Sequence, residues 1–241
     1  MLKKFIALST LLVLAACGTS NVSTPEDKLP EGDVAVATAE QPNESKATTV
    51  DGDVNGDEDA ELSGKQLLNR LVQGGNVIYF RHATTERDYA DQADPSMSLE
   101  DCSTQRKLNL QGIQESHAIG LAFAQKQIPV DRVVTSEYCR AWKTANFAFG
   151  RVDQRDSRLN FLPYEDYSDE LVELMKKNVM PLLSSPPAND SNTVIVGHDD
   201  IFEAATGIYP EPQGIAYILE PNGDKGFKII GNLLPTDWNK L

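Results

Sequence analysis

The chain has 241 residues and a formal net charge of −14 at pH 7, with 36 acidic against 22 basic side chains. This length fits one domain with appendages, or at most two small domains. The negative charge excludes a general nucleic-acid binder, because a phosphate backbone would be repelled. The acidity is concentrated in residues 18–62, which hold 12 acidic and two basic side chains.

The first residues have the pattern of a targeting segment. Lys3 and Lys4 precede the apolar run 5–16, which is too short to span a bilayer. The run leads into residues 14–17 (Leu-Ala-Ala-Cys), which resemble the lipobox of bacterial lipoproteins. The resemblance implies a signal peptide over 1–16 and a lipidated Cys17, whose acyl chains anchor the protein in the cell envelope. Gly18, where an inner-membrane retention signal has Asp, favours the periplasmic face of the outer membrane.

Residues 17–62 are predicted to be an acidic, disordered tether, because they contain too few large apolar residues to build a core. Within them, residues 51–59 suggest a calcium-binding loop. An EF-hand needs Glu at its twelfth position, and the two registers place Leu62 or Gly64 there. We therefore predict a solvated linker, followed by a folded domain over residues 63–241.

From Ser63 onward, helix and strand patterns alternate along the chain. Helical periodicity and end signals predict a helix from Ser63 to the Gly74-Gly75 pair, and helices over 110–126, 139–149 and 169–183. The last of these should bury one face, made of Leu171, Leu174, Met175 and Val179. Apolar runs predict buried strands over 76–80, 130–135 and 193–196, and a hairpin formed by 215–219 and 227–230. The alternation predicts an α/β fold, a three-layer sandwich with a mostly parallel central sheet.

Two of the three histidines occupy equivalent places in this pattern. One predicted strand leads into Arg81 and His82, and another leads into His198. A third strand delivers residues 136–140, which include Arg140, to the same edge of the sheet. Ligands of open α/β sheets bind beyond the carboxyl ends of the strands. Arginine matches the oxygens of phosphate and neutral imidazole is a nucleophile, so this edge is suited to phosphoryl chemistry.

Four motifs around these residues resemble the histidine phosphatase (phosphoglycerate mutase-like) superfamily. Residues 81–86 are similar to its Arg-His-Gly signature, and 105–112 to its Arg-Pro-Leu-Thr-x-x-Gly stretch. Residues 136–145 resemble its Ser-x-x-x-Arg-Ala-x-x-Thr-Ala motif, and 194–198 match its late Gly-His. The resemblance covers about residues 65–232, with the motifs in the family's order, and implies the family's fold.

The same resemblance implies the roles of the catalytic residues. His82 would be the nucleophile that becomes phosphohistidine, while Arg81, Arg140 and His198 would hold the three non-bridging oxygens. No metal and no cofactor are implied, because the arginines supply the positive charge. Ala83 departs from the family pattern by replacing the signature glycine.

The proton donor to the leaving group is left open by the sequence. One branch of the family has a Glu some two dozen residues after the second arginine, which favours Glu165. Another branch uses the Asp after the late histidine, here Asp199, and Glu137 is a third candidate. Glu137 and Asp199, together with the loop arginines Arg87 and Arg106, are also candidate substrate-binding residues.

Cys102 and Cys139 remain once Cys17 is lipidated, and outside the cytoplasm we expect them to form a disulfide. The predicted function is a phosphomonoester hydrolase outside the cytoplasm, acting on a small phosphorylated substrate or a phosphorylated envelope component. Two alternatives stay open. One is a phosphohistidine protein phosphatase, which export disfavours, and the other is a non-catalytic envelope lipoprotein that binds phosphorylated ligands.

Overall fold

The computed structural model describes residues 62, 64–88, 91, 96–162, 167–188 and 190–241. Five features predicted from the sequence lie outside these ranges: the signal peptide 1–16, Cys17, the tether up to residue 61, the capping residue Ser63, and Glu165. The described residues belong to one unit, Asn55–Leu241.

The described part of the chain alternates helices and strands. The α-helices are α1 (Gly64–Gln73), α2 (Leu110–Gln125), α3 (Cys139–Phe149), α4 (Asp169–Ser184) and α5 (Asp199–Thr206). The strands are β1 (Val77–Arg81), β2 (Val130–Thr135), β3 (Gln154–Arg155), β4 (Asn192–Gly197), β5 (Ala216–Pro221) and β6 (Phe227–Leu233). The predicted helices and strands are confirmed with small shifts at their ends, whereas α5 and the short β3 were not predicted. No helix within the described ranges is long and apolar enough to cross a membrane.

One six-stranded sheet, in the order β3-β2-β4-β1-β5-β6, forms the centre of the domain. The neighbours from β3 to β1 are parallel, and β5 and β6 add an antiparallel hairpin beside β1. In the register of β1 and β4, Arg81 lies opposite Gly197. The residues that follow, His82 and His198, therefore leave the sheet side by side.

Alternate side chains of the sheet pack against helices on opposite faces, as the pleat of a strand requires. Ile78 and Phe80 of β1 belong to a core shared with α1, α2 and α3. Val77 and Tyr79 belong to a second core shared with α4 and α5. This arrangement confirms the predicted α/β sandwich of three layers. Each fully buried large apolar side chain contributes about 1.5–3 kcal/mol of transfer free energy to the cores.

The face predicted for α4 is partly wrong. Met175, Val179 and Leu183 are buried, but Leu171 and Leu174 are 39% and 45% exposed. The buried residues follow a four-residue spacing that forms a narrow stripe along the helix. Leu174 falls beside this stripe, and Leu171 lies in the first turn, before the stripe meets the sheet.

Candidate active site

Three parallel strands end at one place and deliver the polar residues predicted for the site. The main-chain N–H of His82 donates to Gly197 O (3.0 Å), and that of Ser136 donates to Val196 O (2.9 Å). The imidazole rings of His82 and His198 meet edge to face, with 5.5 Å between their centroids. Both rings are fully buried, so their hydrogen bonds determine what each can do.

His82 is held in a single tautomer by two hydrogen-bond partners, one that can only accept and one that can only donate. Nδ1 lies 2.9 Å from Ala83 O, which can only accept, so Nδ1 carries the hydrogen. Nε2 accepts from Arg140 Nε at 3.1 Å, and an arginine can only donate. Burial, and next the positive charge of Arg140, hold the pKa of His82 well below its usual value. His82 therefore presents an unprotonated Nε2, the form that a nucleophile needs.

Ala83 and Thr144 connect the histidine loop to the helix that carries Arg140. The N–H of Ala83 donates to Thr144 Oγ1 (3.0 Å), which in turn donates to Arg140 O (2.8 Å). Ala83 is buried and its φ is not positive, so a methyl group at this position causes no backbone strain.

Arg140 lies in the first turn of α3 and is buried among groups that orient its guanidinium. Nη1 forms an ion pair with Asp91, whose side chain is also fully buried. The guanidinium packs over the rings of Tyr138 (5.0 Å) and Phe161 (4.9 Å). Burial lowers the pKa of Arg140 to about 10, and Asp91 opposes this shift. Arg140 is therefore positively charged at neutral pH.

Arg81 ends β1 and is surrounded by acceptors. Nη2 lies 2.6 Å from Asp199 Oδ2, while Nη1 binds Glu211 Oε2 (2.6 Å) and Pro210 O (2.9 Å). The same Asp199 oxygen accepts from Tyr209 Oη at 2.7 Å. The Nε atom of Arg81 is buried and has no hydrogen-bond partner among the described residues. A donor of Arg81 thus remains for a ligand.

His198 packs its ring against Tyr138 and Phe161, at centroid distances of 5.2 and 4.9 Å. Its Nε2 lies 2.9 Å from Ser136 Oγ, while Nδ1 is buried and lacks a partner within the described ranges. Burial, followed by the charge of Arg140, holds the pKa of His198 well below its usual value. Gly197, which precedes it, has no room for a side chain, since a Cβ there would overlap the hydroxyl of Tyr79.

Glu137 contacts the side-chain amide of Asn160. Its Oε2 accepts from Asn160 Nδ2 at 2.7 Å. Asn160 Oδ1 accepts from the Glu137 main-chain N–H (3.0 Å) and from Ser136 Oγ (2.7 Å). The carboxylate is thus linked to His198 through Asn160 and Ser136.

A cleft of about 710 Å³ opens next to the loop that follows His82. It begins at Thr84, two residues after His82, and includes Glu211, the partner of Arg81. Arg87 and Arg106 both lie in its wall, and the charge of Arg106 contributes to the lowered pKa of His82 and of His198. The two loop arginines predicted to bind substrate therefore share the wall of one cleft, and the charge of Arg106 acts on both histidines.

Cys102 and Cys139 are paired as a disulfide in the structure, with 5.7 Å between their Cα atoms. Cys139 is the first residue of α3 and precedes Arg140. Its N–H also donates to Gln105 Oε1 (2.8 Å), next to Arg106 in the chain. Two links therefore join the loop of Arg106 to the start of the helix of Arg140.

The structure brings together five of the predicted site residues, namely Arg81, His82, Arg140, His198 and Asp199. Other groups at the site were missed by sequence reasoning, and these are Asp91, Phe161, Tyr209 and Glu211. The carboxylates among them could have been suspected only as counter-charges that buried arginines need. Glu165, the favoured proton donor, lies outside the described residues.

No family model matches the chain, and no curated protein matches it. Solved structures are similar to it at low sequence identity. The protein histidine phosphatase SixA, solved with tungstate, is 13% identical at a TM-score of 0.47, covering 67% of this chain and 98% of its own. YhfR of Bacillus stearothermophilus is 16% identical at 0.42, covering 66% and 98%. A mycobacterial glucosyl-3-phosphoglycerate phosphatase, solved with VO3, is 15% identical at 0.44, covering 65% and 98%. The fold is therefore assigned from the strand order and layers of this chain itself.

Proposed function

We propose that this chain is a phosphomonoester hydrolase that acts outside the cytoplasm through a phosphohistidine on His82. One observation carries the proposal. The unprotonated Nε2 of His82 lies in a buried cluster with Arg81, Arg140 and His198, at the carboxyl edge of a parallel sheet. A nucleophile beside two permanent positive charges is what phosphoryl transfer requires.

Unpaired polar atoms support phosphate as the ligand of this cluster. Buried donors are normally hydrogen-bonded, yet Arg81 Nε has no partner among the described residues. A phosphoryl oxygen would supply one. Arg140 has one edge of its guanidinium, through Nε, directed at His82, while Asp91 holds Nη1. An oxygen bound by Arg140 would therefore lie next to the attacking nitrogen.

The reaction would proceed in two steps. His82 Nε2 forms a bond to phosphorus while the bond to the leaving oxygen breaks, and Glu165 gives that oxygen a proton. Water then gives a proton to the Glu165 carboxylate and attacks the phosphorus, the bond to Nε2 breaks, and phosphate and free His82 are released. Arg81, Arg140 and His198 stabilise the charge that develops on the equatorial oxygens. In this scheme the arginines do the work that a metal does in other phosphatases.

The substrate would be a small phosphorylated molecule or a phosphorylated component of the envelope. The polar cleft beside the site fits such a group, since its wall carries Arg87, Arg106, Gln111 and Gln213. The lipobox-like run that ends at Cys17 supports action on the outer side of the cytoplasmic membrane.

Replacement of His82 tests the proposal. His82→Ala should abolish hydrolysis of 4-nitrophenyl phosphate, because no other group can form the covalent intermediate. His117→Ala is the matched control, since this exposed histidine of α2 contacts only the ring of Phe147 among the aromatic rings described, and it should keep full activity. Alkaline quench, which spares phosphohistidine, should show a phosphoryl group on His82 of the wild type and none on His82→Ala. Turnover in His82→Ala would refute the mechanism, and no hydrolysis by the wild type would favour a binding protein.

A further inference from the structure

A series of hydrogen bonds runs from Glu137 to His198, and it fixes the position of every hydrogen along it. Asn160 is held between a donor and an acceptor of unambiguous character. The Glu137 main-chain N–H can only donate and lies 3.0 Å from Oδ1, while Oε2 of the Glu137 carboxylate lies 2.7 Å from Nδ2. The opposite amide orientation would set donor against donor, so the carbonyl oxygen of Asn160 must face Ser136.

The orientation of Asn160 determines the hydroxyl of Ser136. Ser136 Oγ lies 2.7 Å from Asn160 Oδ1, and a carbonyl oxygen only accepts, so the single hydroxyl hydrogen must point there. The Tyr138 main-chain N–H donates to the same Oγ at 3.1 Å. Ser136 can therefore offer only a lone pair to His198 Nε2 at 2.9 Å. It follows that Nε2 of His198 carries a hydrogen.

A neutral His198 with its hydrogen on Nε2 has a bare lone pair on Nδ1. This atom is buried and unpartnered among the described residues. The proposed function places a phosphoryl oxygen at His198, and that oxygen can only accept. Two acceptors would then face each other unless a proton lies between them.

We propose that the site binds a phosphoryl group together with one proton on Nδ1 of His198, because the Glu137–Asn160–Ser136 relay keeps Nε2 protonated. This inference rests on the proposed function. A monoanionic phosphomonoester brings the proton itself and becomes the dianion beside a His198 imidazolium. A ligand that is already a dianion takes the proton from solvent. Glu137, Asn160 and Ser136 are positioning residues, which act through His198.

Because of the positive charges around His198, the extra proton binds its Nδ1 only when the anion is bound as well. Four positive or titratable groups act on the charge of the ring: Arg140 from α3, Arg81 at the end of β1, His82 directly after it, and Arg106 from the loop before α2. The titratable Tyr138 packs on one side, and Asp199, next in the chain, pairs with Arg81. The three arginines oppose a further positive charge while the site is free. A bound dianion adds negative charge beside the ring and so favours its protonation. By linkage, the proton must then raise the affinity for the dianion by the same factor.

Tungstate provides the test, since this phosphate analogue stays a dianion near neutral pH and any proton taken up goes to the protein. Calorimetric titrations in two buffers of different ionisation enthalpy give the number of protons per tungstate bound. We expect about one proton, and an affinity that falls about tenfold per pH unit above neutrality. In the free wild type, long-range ¹H–¹⁵N correlation of labelled histidine should show His198 protonated on Nε2 alone, and on both nitrogens in the complex. The chain has three histidines, so His117→Ala helps to assign the signals.

Two variants of the relay separate tautomer control from simple structural support. Asn160→Ala removes the acceptor of the Ser136 hydroxyl, which can then donate to Nε2 and allow a hydrogen on Nδ1 without proton uptake. Its proton count should fall well below one. Glu137→Gln keeps an acceptor for Asn160 Nδ2 and should retain the wild-type count. Tungstate binding by the wild type without proton uptake would overturn this inference alone. Absence of binding would overturn the proposed function with it.

Discussion

The two histidines at the site are both buried beside arginines, yet a different ring nitrogen is left without a hydrogen in each. His82 has its hydrogen on Nδ1, directed at Ala83 O, so its Nε2 carries no hydrogen and accepts from Arg140 Nε. His198 contacts Ser136 through Nε2 and is left with Nδ1. In the proposed mechanism one ring would attack phosphorus, and the other would hold an oxygen. The difference arises from single hydrogen-bond partners, because the rings themselves are chemically identical.

Glu165 is the proposed proton donor, and this role would make its effect depend on the leaving group. A proton donor matters mainly for alcohols of high pKa, by the Brønsted behaviour of proton transfer. We expect Glu165→Gln to lose about 10²–10⁴-fold in kcat/KM on an alkyl phosphate, and far less on 4-nitrophenyl phosphate. Steady-state kinetics on the two substrates measures the ratio.

Asp199→Asn and Glu137→Gln are the comparisons for this experiment. Asp199 Oδ2 is held by Arg81 and Tyr209, and Glu137 Oε2 is held by Asn160. Both carboxylates therefore have partners other than a leaving group, and their variants should affect the two substrates alike. Equal losses for Glu165→Gln on both substrates would transfer the donor role to one of them.

The end of β4 positions His198 through close packing against β1. The hydroxyl of Tyr79 donates to His198 O at 2.7 Å, and it fills the space where Gly197 would carry a Cβ. We expect Gly197→Ala to lower the free energy of unfolding by about 1–3 kcal/mol, the usual cost of overpacking a core. Activity should fall as well, because His198 must shift with the strand end.

The Tyr79→Phe protein is the reference in which the effect of Gly197→Ala is measured a second time. Removal of the hydroxyl costs one hydrogen bond, about 1 kcal/mol, and opens space beside residue 197. Gly197→Ala should therefore cost less in the Tyr79→Phe protein than in the wild type. Urea unfolding of the four proteins completes the double-mutant cycle. Strict additivity would show that the hydroxyl does not limit residue 197.

We expect the disulfide between Cys102 and Cys139 to hold the first turn of α3 in place. That the bond forms in the protein is itself a prediction, which a count of free thiols would test. The bond closes a loop of 37 residues, worth on the order of 4 kcal/mol in the chain-entropy model. We expect Cys102→Ser with Cys139→Ser to lower unfolding stability by about 2–4 kcal/mol. Some activity should survive, because Gln105 still holds the N–H of residue 139.

Alkylation of the unreduced mature protein checks the bond directly. Mass spectrometry should find neither Cys102 nor Cys139 modified before reduction, and both modified afterwards. Two alkylated thiols in the unreduced sample would show that the bond does not form in the protein.

Elements with a local sequence signal could be predicted, and long-range partners could not. The strand ends that deliver His82, Ser136 and His198 follow apolar runs, and parallel strands share an edge. Asp91, Tyr209 and Glu211 contact their arginines across 49, 128 and 130 residues of chain, and no periodicity marks such contacts. The helix α5 was missed because it is short, although two acidic residues in its first turn were an available signal.

Negative charge and the site residues are concentrated in different parts of the chain. The segment 18–62 holds 12 of the chain's 36 acidic residues, while the buried site collects positive charge from Arg81 and Arg140. If this segment is the predicted disordered tether, its end-to-end distance would be roughly 4 nm. Anchored at Cys17, it would let the domain reach substrates near the membrane without touching the lipid surface.

Lipidation of Cys17 is the prediction on which this arrangement depends. Cys17→Ser removes the thiol that would carry the lipid, and the protein should move from the membrane fraction to the soluble fraction of the cell. Its turnover of 4-nitrophenyl phosphate should stay at the wild-type level, because the site lies in the domain after residue 62. Gly18→Asp is the companion variant, expected to keep the lipid but change the membrane to which the protein fractionates. If Cys17→Ser remained with the membrane, the anchor would have to be something other than a lipid on this residue.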